Sequence, residues 1–368
     1  MINPTSLGLK RRDLVYQDSK LLLANFALTE QKADLEKTKG NTKGPIGDYF
    51  RIKTNIKTEN KDGKESPMNE FYRTGNKKLL MFDFNWWPLT KMEGQQEDFN
   101  EVFIYQLKGC NVNCNFCFVD RFNNNGAESH GAKFFSVEEL VDSFAETRKQ
   151  KKQEGIKLNV LRPSGGEPSL VPEQWLAILQ ELDKRGLSSE VYLQSDTNLT
   201  TGHMLEQLMD KGELDKCILN KIAEYDNFGL LSCFKGTDPE RFTENTQCNP
   251  KFFEEQFYSY NLFANAGIAI YPHIVNPNSK SLEMFADMFA ADHGEEAYKL
   301  LHLFSIGPYG PVKSRLERRG EMYALAKMQE WRENYVAGEE VLENLLQNKF
   351  GIAYKDAHRP DIVEQMFR

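Results

Sequence analysis

The chain has 368 residues, 40% of them hydrophobic and 12% aromatic, ample apolar surface for one large domain or two ordinary ones and too much for a disordered chain. Its 46 Lys and Arg against 54 Asp and Glu leave a net charge of −8, which argues against wholesale nucleic-acid binding but leaves room for a local basic patch. Six cysteines are too sparse for a disulfide scaffold; no run of about 18 apolar residues occurs and the first residues lack the layout of a secretory leader, so a soluble, cytoplasmic protein is expected.

Residues 1–98 are rich in Lys, Asn, Thr and Gly, with a hairpin turn expected at Lys61-Asp62-Gly63. They read as an N-terminal extension whose aromatic stretch, with Phe82, Phe84, Trp86 and Trp87, is expected to pack on the domain after it. From residue 99 strand-like and helix-like segments alternate, the pattern of βα units on a parallel sheet. The first strand, Glu101 to Leu107, runs into Cys110, Cys114 and Cys117, a CxxxCxxC spacing. Three cysteines so close point to metal. No fourth Cys or His stands nearby, so one metal position stays open, which suits an iron–sulfur cluster better than a closed structural zinc site. A zinc knuckle borrowing a distant His is the alternative.

Ser136 and Glu139 form a capping box ahead of an amphipathic helix that ends in Arg148, Lys149, Lys151 and Lys152. Those lysines complement the helix dipole; an RNA patch is the second reading. Ile156 to Leu161 is strand two, followed by Ser164-Gly165-Gly166-Glu167, where glycines at a strand end admit close backbone approach and Glu167 offers a carboxylate for an ammonium group. A helix from about Pro172 to Gly186 places Trp175 in the core. Strand three, about Glu190 to Gln194, leads into Ser195-Asp196-Thr197-Asn198, and strand four, Gly229 to Phe234, into Lys235-Gly236. Helix Pro250–Ala266, strand Ile268–Val275, helix Ser281–Ala291 and strand Leu300–Ile306 complete the alternation, and Glu321 onward reads as a helical C-terminal extension. Every polar motif falls in a loop after a strand, where barrel enzymes place their chemistry. Tyr271, His273, Asn276, Tyr309, Lys313 and Arg315 are candidates for a substrate pocket, Lys313 and Arg315 either holding an anion or opening a solvated helix.

The cysteine spacing with Phe116 before the third cysteine, Gly165-Gly166-Glu167, Asp196-Thr197-Asn198 and Cys233-Phe234-Lys235-Gly236 together resemble the radical SAM superfamily, over about 210 residues. The last two motifs are similar to those of glycyl-radical activating enzymes, although Cys233 stands where those carry an acidic residue. The resemblance implies an incomplete (β/α)6 TIM-like barrel over 99–318 with extensions at 1–98 and 319–368. It implies a 4Fe–4S cluster on Cys110, Cys114 and Cys117 and S-adenosylmethionine near Phe116, Gly165, Gly166, Glu167, Ser195, Asp196, Asn198 and Lys235, with His273 counted on the same side. It further implies reductive cleavage of S-adenosylmethionine, hydrogen abstraction, and a one-electron donor such as flavodoxin or ferredoxin.

The substrate class stays open at this level. A protein or peptide substrate is favoured by the activase-like motifs. A tRNA base modifier is the alternative, supported by the N-terminal lysines and opposed by the net charge, and a non-enzymatic zinc scaffold is the remote one.

Overall fold

The computed structural model describes residues 1–31, 47–54, 101–307 and 310–357, with the short strand pairs at 56–57, 73–74, 77–78 and 80–81. The expected turn at 61–63, the aromatic stretch 82–88 and Tyr309 lie outside the described residues.

The chain opens with helix α1 (Pro4–Val15), started by Asn3, whose side chain accepts from Ser6 N at 3.0 Å, and by Pro4 in the first turn. Strand β1 (Lys20–Leu23) and then β2 (Phe50–Thr54) follow. β2 lies antiparallel on β3 (Glu101–Tyr105), so part of the N-terminal extension belongs to the main sheet. β4 (Lys133–Ser136) pairs antiparallel with β1 in a separate small sheet.

The regular units come next: α2 (Val137–Gln153), β5 (Leu158–Pro163), α3 (Glu173–Lys184), β6 (Tyr192–Thr197), α4 (Gly202–Asp210) and β7 (Phe228–Phe234). The second half holds α5 (Pro239–Thr246), α6 (Glu255–Asn265), β8 (Ile270–Val275), α7 (Ser279–His293), β9 (His302–Phe304), α8 (Gly310–Glu317) and α9 (Glu321–Phe350). Among the described residues the main sheet has seven strands, in the order β9-β8-β7-β6-β5-β3-β2. All but β2 run parallel, so the βα alternation read from the sequence is realised as a mixed α/β fold with a sequentially ordered parallel sheet.

The capping box closes as expected, Glu139 N donating to Ser136 Oγ at 3.2 Å and Ser136 N to Glu139 Oε2 at 2.7 Å. Trp175 is fully buried between α3 and the sheet beside Phe228 and Phe263. Phe234 sits in an aromatic layer with Phe257, Tyr260, Phe285 and Phe289, which turns the alternate residues Leu231 and Cys233 to the opposite face of the sheet. Among the described residues no helix is long and apolar enough to cross a membrane.

Candidate metal centre

The cysteine loop leaves the C-terminal edge of β3 and is held from three directions. From the end of α5, Thr246 O accepts from Asn113 N at 3.1 Å and Asn245 O from Asn115 N at 3.0 Å. From β6, the Asn198 side chain donates to Asn111 Oδ1 at 2.9 Å and to Cys110 Sγ at 3.6 Å. From the following loop, Asn124 Nδ2 donates to Cys117 Sγ at 3.6 Å. Amide donors aimed at sulfur stabilise the thiolate form that metal ligation requires.

Without metal these thiols are hard to ionise. Burial pushes Cys110 well up, with Glu167, Cys114 and Cys117 adding to it. Burial also raises Cys114, to about 12, while the Lys235 ammonium pulls the other way. Burial lowers the pKa of Lys235 itself, but Cys233, Cys114, Cys117 and Glu167 around it outweigh that, and the net shift is upward. Lys235 also stands 5.8 Å above the Phe116 ring, whose edge meets Trp331 of α9 at 6.2 Å. Trp331 escaped sequence reading because a lone Trp in a long helix carries no motif.

The Gly165-Gly166-Glu167 turn locks onto the cysteine loop itself. Glu167 N donates to Gly109 O at 2.7 Å. Gly166 has φ +62°, and a Cβ there would stand 2.1 Å from Leu107 O and 2.5 Å from Gly109 O. Gly165, at φ +92°, presses on the Gln106 side chain, whose buried Nε2 has no hydrogen-bond partner. The glycines therefore serve a close approach of backbone to backbone, where sequence reasoning expected room for a ligand.

The remaining candidates divide by where they point. Glu167 is buried with both oxygens engaged: Oε1 accepts from Ser169 N at 3.2 Å and from Ser169 Oγ, and Oε2 accepts from Asn198 N at 2.8 Å. The structure thus shows it as the tie between the glycine turn and the end of β6. Asp196 accepts from Arg162 Nη2 at 2.7 Å and from Ser164 Oγ. Ser195 faces the helix layer, accepting from Trp175 Nε1 at 2.9 Å and donating to Pro163 O at 3.3 Å. His273 lies beside Cys233 of β7 in register, with its ring edge-on to His302 at 5.0 Å. Asn276 donates to Asn245 Oδ1 at 2.7 Å, and Lys313 projects outward toward Glu317 at 3.6 Å, 60% exposed.

The donor set suits a thiolate-bound cluster: three cysteines in one loop, two of their sulfurs receiving amide N–H groups, and a buried cation alongside. Among the described residues no three Cys, His, Asp or Glu side chains gather at the spacing of a single metal ion. A family model for a 4Fe–4S single cluster domain matches residues 100–225. Residues 100–225 are thus similar to a 4Fe–4S single cluster domain.

The matched segment takes in β3, β5 and β6 of the parallel sheet, with every cysteine of the motif inside it. No curated protein sequence matches the chain. Among solved structures, the cobalamin-dependent S-adenosylmethionine radical enzyme OxsB with aqua-cobalamin bound is 12% identical over 61% of this chain and 30% of its own, with a TM-score of 0.36. SuiB of Streptococcus suis bound to S-adenosylmethionine is 16% identical over 65% of this chain and 48% of its own, with a TM-score of 0.37. The chain thus spans less than half the length of either.

One titration follows from this geometry. Burial raises the carboxyl of Glu167 from 4.5 to about 7 against the pull of its three donors. Between those values the folded chain holds a proton that the unfolded chain has released, so this group's contribution is full below pH 4.5 and is lost as pH rises through 7. In the cluster-free protein, Glu167→Gln is expected to abolish that slope. At pH 5 it lowers stability by about 1–3 kcal/mol, because the carboxamide turns an NH2 toward groups that donate to the carboxyl, and the deficit closes toward pH 7.5, where the wild type carries a buried charge that the variant lacks. Melting temperatures at pH 5 and pH 7.5 measure both effects.

Proposed function

We propose that the protein is a radical SAM enzyme whose cluster is held by Cys110, Cys114 and Cys117 and whose open iron takes S-adenosylmethionine. The observation that carries this reading is the interlock of the thiol loop with the glycine turn, through Glu167 N to Gly109 O and the Cβ-free contact at Gly166. When bound, the reduced cluster supplies the electron that splits S-adenosylmethionine into methionine and a 5′-deoxyadenosyl radical, which takes hydrogen from the substrate.

The chain's own residues have separate tasks in this scheme. Asn198 and Asn124 donate to the cysteine sulfurs. Lys235 holds a buried positive charge beside the thiols, suited to a carboxylate. Phe116 presents a ring near the third cysteine for the adenine, and Arg162 and Ser164 fix Asp196 at the end of β6 for a hydroxyl-bearing or cationic group. Gly165, Gly166 and Glu167 set the backbone against which the amino acid part rests.

The sheet fits an incomplete (β/α)6 barrel spanning 99–318, extended at 1–98, where β2 adds an edge strand, and at 319–368, where α9 brings Trp331 over Phe116. A cytoplasmic location, a protein or peptide substrate and an external one-electron donor of the flavodoxin or ferredoxin kind belong to the same proposal. The test is anaerobic: iron and sulfide reconstitution, dithionite reduction, addition of S-adenosylmethionine, and detection of 5′-deoxyadenosine by chromatography and mass spectrometry. Its formation is the expected result; a protein that takes up zinc and no iron would refute the proposal.

A further inference from the structure

α8 follows the last strand of the sheet, yet its Arg315 reaches back across about 200 residues of sequence to the cysteine loop. One guanidinium nitrogen, Nη1, donates to Asn115 O at 3.1 Å and to Cys117 O at 2.8 Å, and the other, Nη2, to Val119 O at 3.1 Å. The limb of the loop carrying the third cysteine is thereby gripped by its carbonyls from α8, while its amides at 113 and 115 are gripped from α5. A planar fork that spans three carbonyls cannot be reproduced by a lysine ammonium. Nor is Arg315 an incidental surface contact, because its neighbours in and just after α8 behave differently: Lys313 faces outward to Glu317, and Arg318, in the turn that follows, pairs with Glu30 at 2.8 Å, 60% exposed.

We propose that Arg315 is a positioning residue for the cluster: it fixes the Cys117 limb, turns its carbonyl dipoles away from the sulfurs, and adds a positive charge near the site. The inference rests on the cluster reading above and goes beyond it in assigning a residue outside the matched domain. Two physical effects follow. A fixed cation near a cluster favours the reduced, more negative state, so removing it lowers the reduction potential. Releasing the limb lets Cys117 swing, which speeds cluster loss and alters the environment of the reduced cluster.

The experiment uses the full chain as Arg315→Gln, Arg315→Lys and, as the control just past the end of the same helix, Arg318→Gln. On reconstituted protein it reads the midpoint potential, the electron paramagnetic resonance of the reduced cluster with and without S-adenosylmethionine, and iron release to a chelator. On cluster-free protein it reads hydrogen–deuterium exchange over 113–119. Arg315→Gln is expected to give a lower potential, an altered spectrum, iron release faster by roughly tenfold, as for one lost charge-assisted hydrogen bond, and faster exchange confined to the loop. Arg315→Lys restores the potential in part but leaves the loop's exchange fast, and Arg318→Gln matches the wild type. Potential, spectrum and release unchanged in Arg315→Gln overturn the proposal, as does a loss shared equally by Arg318→Gln. If the wild type itself takes up no iron, the cluster reading and the positioning role toward it both fall, while the exchange measurement still decides whether Arg315 holds the loop.

Discussion

If the proposed function holds, Cys114→Ala is expected to abolish cleavage of S-adenosylmethionine while the fold stays in place. Its thiol is buried beside Cys117 and the Lys235 ammonium, so the substitution removes one of the three proposed ligands and one of the groups that offset the burial of that cation. Substitutions in the outer partners of metal ligands already cost about 10–100-fold in affinity or activity, and loss of a ligand itself should exceed about a hundredfold, with iron content falling in parallel. Cys110→Ala and Cys117→Ala behave alike. Cys217, exposed and remote in the chain from the loop, supplies the control, and Cys217→Ala keeps full iron and full turnover. Iron analysis and 5′-deoxyadenosine formation in the four proteins decide the assignment, and a wild-type rate in Cys114→Ala would falsify it.

Gly166→Ala has the second large effect, on stability. At φ +62° a Cβ costs about 1–2 kcal/mol anywhere in the chain. At Gly166 it also overlaps two backbone oxygens, 2.1 and 2.5 Å away, which belong to the strand end and the cysteine loop and cannot rotate aside. The turn must back away and surrender the Glu167 N to Gly109 O hydrogen bond, and the total exceeds about 4 kcal/mol, the range of severe core damage. Gly186 isolates the first contribution, because it has φ +67° and an added methyl there would meet nothing within 4 Å. Thermal melts of Gly166→Ala and Gly186→Ala should therefore differ widely although both residues share one backbone conformation. Equal melting temperatures would mean that the overlap relaxes at no cost.

Much of this was readable in the chain because the relevant signals are local. The CxxxCxxC spacing, the Ser136 capping box and the alternation of strand and helix each lie within a short window. Strand ends came out a few residues displaced: strand three was expected at about Glu190 to Gln194 and runs Tyr192–Thr197, because hydrophobicity marks the buried middle of a strand and β6 continues through polar Ser195 and Asp196. Among the helices overlooked, α1 and α5 both begin with the same kind of pair, Asn3-Pro4 and Asp238-Pro239, a cap followed by proline in the first turn.

What the sequence withheld is the identity of partners across long separations. Periodicity says that Ser195 faces one side of a strand; it does not say that Trp175 waits there for its hydroxyl. A carboxylate after two glycines reads as available, whereas Ser169 and Asn198 already occupy both oxygens of Glu167. Arg315 reads as an anion holder for the same reason: its charge is visible in the sequence and the three carbonyls it serves are not.

The contact of Trp331 with Phe116 joins residues more than two hundred positions apart. During synthesis the thiol loop emerges more than two hundred residues ahead of the tryptophan that comes to rest beside it. Contacts of such separation form late in folding, after the intervening chain has collapsed. The cysteines therefore lack that cover while the intervening residues are made, and iron for the proposed cluster either reaches an unfinished site or waits for α9, so the order of assembly is written into the separation between a phenylalanine and a tryptophan.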